Sequence, residues 1–248
     1  MKRMSIAALA ATCAAALLGC AQKSEQSEQV EVAVPHAEVH PAPAQKPAEP
    51  TPAAPGAPVA TAEVGKPAPD FTLTDITGQT HQLSALRGKN VVLEWFNPDC
   101  PFVKHAHGEG PLKDLAQKVA GEDLVWLSVN SGAPGKQGHG KERNQKALAD
   151  YAMKNPILLD EDGQVGRAYG AEKTPHLYLI DAKGVLVYRG GLDNAPMGTV
   201  DPSRPAPAGA AAGSYVPYLQ QAVEDLRGGK ALRLADTPPY GCSVKYAS

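Results

Sequence analysis

Trp95-Phe-Asn-Pro-Asp-Cys-Pro-Phe102 is where an apolar, β-rich run, Val91-Val-Leu-Glu-Trp-Phe96, gives way to a helical pattern. Runs of branched and aromatic residues of this length read as a buried strand. Pro101 suits the first position of a helix, because its φ is fixed and it lacks the N–H that would be unsatisfied there. Cys100 then falls near the N-cap, where free backbone N–H groups and the positive helix end favour a thiolate. Lys104, His105 and His107 add positive charge if they face the sulfur, while Asp99 works against ionisation. A strand, a reactive-type cysteine and a helix in this order set the expectations for the rest of the chain.

Outward from this stretch, strand and helix signals alternate. Phe71-Thr-Leu-Thr74, Gly78 and His81-Gln-Leu83 suggest a first hairpin, and Leu124 to Val129 a second buried strand. The helical pattern after Cys100 is interrupted at Gly108, Gly110 and Pro111. Ser131 to Gly140 reads as a Gly-rich loop, Lys141 to Lys154 as a helix, Ile157 to Leu159 as a short strand and Val165 to Tyr169 as a short helix. His176 to Ile180 and Val185 to Tyr188 flank Asp181-Ala-Lys-Gly184 as a second hairpin. Leu192 to Ala212 is a loop rich in Gly, Pro and Ala, and Tyr215 to Arg227 a final helix. The pattern implies an α/β domain with a central mixed β-sheet covered on both faces.

The N-terminal quarter differs. Lys2 and Arg3 precede an apolar run from Ile6 to Leu18, too short for a stable membrane span and of signal-peptide length. It ends in Leu17-Leu-Gly-Cys20, which resembles a bacterial lipobox. Residues 1–19 are therefore expected to be a lipoprotein signal peptide and Cys20 the lipidated residue. Ala21, rather than an aspartate, favours the outer membrane. The stretch from Gln22 to about Glu63 is rich in Ala, Pro, Glu and Gln and has no apolar periodicity, so residues 20–63 are expected to form a disordered tether. Fully extended, such a segment reaches roughly 100 Å at about 3.1 Å per residue. The expected domain is 64–248, on the outer side of the bacterial cytoplasmic membrane. A net charge of −2 excludes the basic stripe that a nucleic-acid partner needs.

Of the four cysteines, Cys13 leaves with the signal and Cys20 takes lipid, which leaves Cys100 and Cys242 as thiols. The segments Gly65-Lys-Pro-Ala-Pro-Asp-Phe71, Asn97-Pro-Asp-Cys-Pro-Phe-Val103, Ser131-Gly-Ala-Pro-Gly-Lys-Gln-Gly138, Tyr169-Gly-Ala-Glu-Lys-Thr-Pro175, Leu179-Ile-Asp181 and Pro239-Tyr-Gly-Cys-Ser-Val-Lys-Tyr246 follow in order. With them the region from Val64 to Ser248 resembles the thioredoxin-like superfamily. Within it, the region is similar to peroxiredoxin-like redoxins related to alkyl hydroperoxide reductase and thiol-specific antioxidant proteins. The resemblance implies a thioredoxin-like three-layer fold, with Cys100 as the attacking thiol at the start of the first long helix. It also implies a cis peptide at Thr174-Pro175, leaving the Thr174 backbone free to pair with an extended thiol substrate. The chain departs from the family twice. No cysteine stands three residues from Cys100, so a Cys-x-x-Cys dithiol is absent. Asn97 stands where peroxiredoxins have threonine, and Pro175 falls about where their peroxide-orienting arginine is expected. Both put peroxide reduction in question more than thiol chemistry.

Cys242 has three readings: a resolving partner for Cys100, half of a permanent disulfide, or a buried free thiol. A sulfenic acid or a mixed disulfide on Cys100 is resolvable by a second thiol. The expected function is a membrane-tethered thiol-disulfide oxidoreductase or peroxiredoxin-like antioxidant, needing no cofactor and acting with a protein thiol or disulfide partner. A different class is also open: metal delivery, with Cys100, His105, His107, His139, His176 and Cys242 as ligands for copper or zinc. A non-catalytic scaffold is the third.

Overall fold

The structure, a computed structural model, describes residues 61–248. The proposed signal peptide, Cys20 and the Pro/Ala-rich stretch through residue 60 lie outside the described residues. Ala62 is fully buried and donates its N–H to the Ala168 carbonyl at 2.8 Å, so the domain's packing includes residues expected to belong to the tether.

In chain order the strands are β1 (Thr72–Asp75), β2 (Thr80–Gln82), β3 (Asn90–Trp95), β4 (Leu124–Asn130), β5 (Ile157–Leu159), β6 (Lys173–Thr174), β7 (His176–Ile180), β8 (Leu186–Gly190) and β9 (Cys242–Ser243). The helices are α1 (Pro101–Gly108), α2 (Leu112–Val119), α3 (Lys141–Asp150), α4 (Gln164–Tyr169) and α5 (Tyr218–Arg227). Seven strands form one sheet in the order β2-β1-β5-β4-β3-β7-β8. The inner pairs β5–β4 and β4–β3 are parallel and the others antiparallel, so the sheet is mixed. β6 and β9 pair separately.

Period-2 alternation along β3 and β7 splits the core into two layers. Val92, Leu177 and Leu179 point into a layer closed by α1, α2 and α5 through Ala106, Leu115, Val119, Leu219 and Val223. Leu93, Trp95, Tyr178 and Ile180 point the other way, against Tyr169 of α4 and Phe71. Fully burying side chains of this size stabilises by about 1.5–3 kcal/mol each, so the central strands are held mainly by their two apolar faces. The result is the three-layer α/β arrangement that the alternating pattern called for, with helices on both faces.

One polar island lies inside the first layer. Glu94 on β3 is fully buried and accepts from Trp126 Nε1 at 3.1 Å and Ser128 Oγ at 3.0 Å, and lies 2.6 Å from His107 Nε2. His107 on α1 is thereby committed to the sheet.

Candidate functional site

The site starts from the turn between β3 and α1. Asn97 Oδ1 accepts the Asp99 N–H at 2.9 Å, and the Asn97 carbonyl accepts the Cys100 N–H at 3.1 Å. Such self-bonding is what Asn contributes to turns. Asn97 Nδ2 donates to the Gln137 carbonyl at 3.1 Å, which ties the turn to the 131–140 loop. Both polar ends of Asn97 are therefore spent on holding the turn. Gly138 lets this loop come close: a Cβ there would lie 2.2 Å from Asn97 Oδ1, and its φ is +80°.

Cys100 is the N-cap of α1 and Pro101 its first helical residue, as the strand–Cys–Pro spacing requires. The thiol is fully buried, among Phe96, Val103, Ala147 and Met153. Burial alone raises a thiol, but hydrogen bonds from the Cys242 and Thr174 side chains and from the Val103 N–H outweigh it, and Cys100 lies below its ordinary range. The Val103 N–H is one of the free donors of the helix end. Thr174 Oγ1 is buried without another partner, so its O–H is available to a thiolate. When Cys100 is protonated, its S–H donates to the Thr174 carbonyl at 3.1 Å.

The charges expected around the sulfur are distributed differently. Lys104 is exposed, and His107 is turned to Glu94. Asp99 is neutralised by Arg143 of α3, whose Nη2 and Nε reach its carboxylate at 2.7 and 3.0 Å, while Nη2 also donates to the Pro98 carbonyl at 3.0 Å. Arg143 is the site residue that sequence reasoning missed. It stands 44 positions from Asp99, and a lone arginine on an exposed helix carries no local signal.

Cys242, 142 positions away in sequence, lies with its sulfur 2.6 Å from that of Cys100. No disulfide joins them in this structure, and the two sulfurs stand within reach of one. Burial and the neighbouring Cys100 charge push the Cys242 thiol up to about 11. Of the two thiols, Cys100 is therefore the easier to ionise and Cys242 the harder.

The peptide between Thr174 and Pro175 is cis. The Thr174 backbone, however, is not free: Thr174 pairs with Cys242 and Lys173 with Ser243, so the chain's own C-terminal segment occupies the edge expected for a substrate. Gly241 makes this approach possible, since a Cβ there would lie 2.1 Å from the Thr174 carbonyl oxygen and its φ is +118°. The segment is clasped further on. The Val244 N–H donates to the Glu172 carbonyl at 3.0 Å, the Ala133 N–H to the Lys245 carbonyl at 2.9 Å and the Tyr246 O–H to the Ala171 carbonyl at 2.8 Å. Arg167 lies over the Tyr246 ring at 4.5 Å.

An open cleft of about 420 Å³ between the α1 end and the 192–198 loop is lined among others by Phe102, His105, Asp193, Met197, Tyr215 and Tyr240, and neither cysteine of the pair lines it. Met197 and Tyr215, the exposed large apolar side chains among the described residues, both line it. One wall is the 192–198 part of the Gly/Pro/Ala-rich loop. The histidines of the metal reading are dispersed. His105 lies near Glu109, His107 near Glu94 and His139 near Glu161, while His176 contacts Tyr178. Among the described residues no three His, Cys, Asp or Glu side chains are grouped to hold an ion, which leaves the metal-delivery reading without support.

The chain matches curated relatives over about half its length. It is 34% identical over 122 residues to the thiol-disulfide oxidoreductase ResA of Geobacillus thermodenitrificans, covering 49% of this chain and 65% of that protein. It is 32% identical over 123 residues to the thioredoxin-like protein YneN of Bacillus subtilis, covering 49% and 68%. Among solved structures, a hypothetical protein of Sinorhizobium meliloti aligns with a TM-score of 0.62 at 27% identity, over 76% of this chain and 97% of that one. An uncharacterized conserved protein of Geobacillus kaustophilus aligns at 0.60 and 29%, over 75% and 93%. The Redoxin family model matches residues 63–201, a span that holds the β3–α1 turn, Cys100 and the cis Thr174-Pro175 peptide. With its thioredoxin-like architecture and its cysteine at the head of α1, the chain belongs to the Redoxin family.

Proposed function

We propose that the protein is a thiol-disulfide oxidoreductase whose working pair is Cys100 and Cys242. The observation that carries this is the meeting of the two sulfurs, one favoured as thiolate and the other as thiol. Cys100 attacks a substrate disulfide: its sulfur forms a mixed disulfide, and the outer substrate sulfur leaves as a thiolate. Cys242 then loses its proton and attacks the Cys100 sulfur, releasing the second substrate thiolate and closing the Cys100–Cys242 disulfide. The substrate is reduced and the pair oxidised by two electrons. Thr174 positions Cys100 through its hydroxyl and carbonyl, Pro175 shapes the loop that holds Thr174, and Asn97 holds the turn.

Cys100 becomes accessible when β9 lifts from Thr174. Beyond it the segment is held by five hydrogen bonds, the three above together with Arg167 to the Ala247 carbonyl and Lys136 to Ser248 Oγ, and by the Arg167–Tyr246 contact. A terminal segment held by local contacts of this kind is the sort of unit that opens ahead of the whole domain. The cleft with Phe102, Met197, Tyr215 and Tyr240 in its walls offers an apolar landing place for a protein partner. The names of the relatives support disulfide exchange.

Peroxide is the poorer substrate on this reading, because Asn97 has no polar atom free and Pro175 carries no charge. Rates for the reduced protein with oxidised glutathione and with hydrogen peroxide decide it. Disulfide exchange is expected to be the better activity, with peroxide reduction slow for a dedicated peroxidase. A peroxide rate exceeding the disulfide rate would make the protein an antioxidant peroxidase instead.

The proposal also includes the cellular setting: removal of residues 1–19, lipidation of Cys20 and attachment of the domain outside the cytoplasm by the Pro/Ala-rich stretch. Its support is the charged start, the apolar run and the lipobox in order. Persistence of a disulfide form suits an oxidising compartment.

A further inference from the structure

Cys242 is carried on an arm that is held on both sides. Downstream of it are the contacts of Val244 to Ser248 described above. Upstream, residues 235–237 run along β8: the Arg189 N–H donates to the Ala235 carbonyl at 3.0 Å and the Thr237 N–H to the Arg189 carbonyl at 3.0 Å. Arg204 Nη2 then donates to the Pro238 carbonyl, and its guanidinium lies over the Tyr240 ring at 5.0 Å. The last hold before the cysteine is the Tyr240 O–H, which donates to Asp193 Oδ1 at 2.8 Å. Asp193 is 2% exposed. Its remaining bonds, from the Ala195 N–H to Oδ1 at 2.8 Å and from the Tyr215 O–H to Oδ2 at 3.0 Å, fix it to its own loop.

The two sides differ in kind. The downstream contacts belong to a chain end and are the ones that give way when the segment opens. The upstream hold is made to a buried carboxylate, and hydrogen bonds to an ionised acceptor are about twice as strong as neutral ones. Only Gly241, at φ +118°, lies between Tyr240 and Cys242. Resting on the reading that Cys242 resolves a mixed disulfide on Cys100, we propose that Tyr240, anchored by Asp193, is a positioning residue that keeps Cys242 beside Cys100 while the segment is lifted.

Chain reach sets the size of the effect. Two residues span at most about 7 Å, so with Tyr240 held the cysteine moves within that radius. Released, it is tethered at Pro238, with a reach of about 14 Å. Doubling the radius dilutes the thiol roughly eightfold at the Cys100 sulfur, and the intramolecular attack slows in proportion. The first attack, by Cys100 on the substrate, gains nothing from the anchor.

The test follows single turnovers of the reduced full chain with oxidised glutathione, quenched in acid and mapped by mass spectrometry. In Tyr240→Phe, which deletes the hydroxyl and keeps the ring, glutathione should join Cys100 no more slowly than in the parent. Conversion of that adduct to the Cys100–Cys242 disulfide, with release of the glutathione thiolate, should be about threefold to eightfold slower. Asp193→Ala should slow the same step at least as much, and the double variant no further than Asp193→Ala alone, because both act through one hydrogen bond. If Asp193→Ala does not fold, Tyr240→Phe decides alone. Closure at the parental rate in Tyr240→Phe overturns the proposal. So does an equal slowing of both steps, which marks a general loss of structure, or multiplied effects in the double variant. A parent that never converts the adduct to the Cys100–Cys242 disulfide refutes the pair itself, a failure distinct from that of the anchor.

Discussion

Arg143 decides whether Asp99 can sit next to a thiol that is to be ionised. With the guanidinium in place, the carboxylate beside Cys100 is half of an ion pair; without it, a bare negative charge adjoins the sulfur and disfavours thiolate. Arg143→Gln should slow alkylation of Cys100 at pH 7 by about threefold to tenfold and move its pH profile upward, while costing about 1 kcal/mol or less of stability, since the pair is partly exposed. An unchanged alkylation profile would remove Arg143 from the site. His176, next to the cis proline, carries a different pH signature. Burial, with the charge of Arg189, holds it down to about 3 in the folded protein, against about 6.5 in an unfolded chain. The unfolded state therefore takes up a proton first as pH falls. The stability from this group is complete above about pH 6.5 and is lost towards pH 3, at about 1.4 kcal/mol per pH unit. Urea unfolding of His176→Gln at pH 7 and pH 4.5 should show a pH dependence about 2–3 kcal/mol smaller than that of the parent. An equal dependence in both proteins would show that His176 is not held neutral.

β9 is two residues long, yet it brings Cys242 to Cys100. The strain of an added side chain at Gly241 tests that placement, because φ +118° and the nearby Thr174 carbonyl leave no room for a Cβ. Gly241→Ala should slow closure of the Cys100–Cys242 disulfide by tenfold or more, while the seven-stranded sheet stays folded at a cost of about 1–3 kcal/mol. Unchanged closure would mean that β9 does not position the cysteine. β9 and β6 are also what the sequence hid. β3, β4, β5 and β7 are legible because apolar and branched residues run together there, and α1 because Pro101 marks its start. Two-residue strands have no periodicity to read, and their pairing joins positions more than sixty residues apart. α3 ends at Asp150 rather than Lys154, because Ala152 turns to a positive φ of 50° and Met153 folds back into the core. Asn97 was legible as a departure from a family pattern. Its job in the turn was not, since that depends on Gln137 forty positions on.

At the scale of the whole molecule, the proposed lipid anchor has its own test. Cys20→Ala should abolish incorporation of radiolabelled fatty acid and release the protein from membranes, since stable anchoring requires more than one acyl chain; equal labelling of the variant would refute the anchor. Within the domain, everything rests on the division of labour between two thiols. The most direct measurement adds one equivalent of a disulfide, oxidised glutathione, to the reduced parent, Cys100→Ser and Cys242→Ser proteins, and maps the sulfur chemistry by mass spectrometry. The account predicts a Cys100–Cys242 disulfide in the parent, a glutathione adduct trapped on Cys100 in Cys242→Ser, and no turnover in Cys100→Ser. An adduct forming first on Cys242, or full turnover without Cys100, would contradict it.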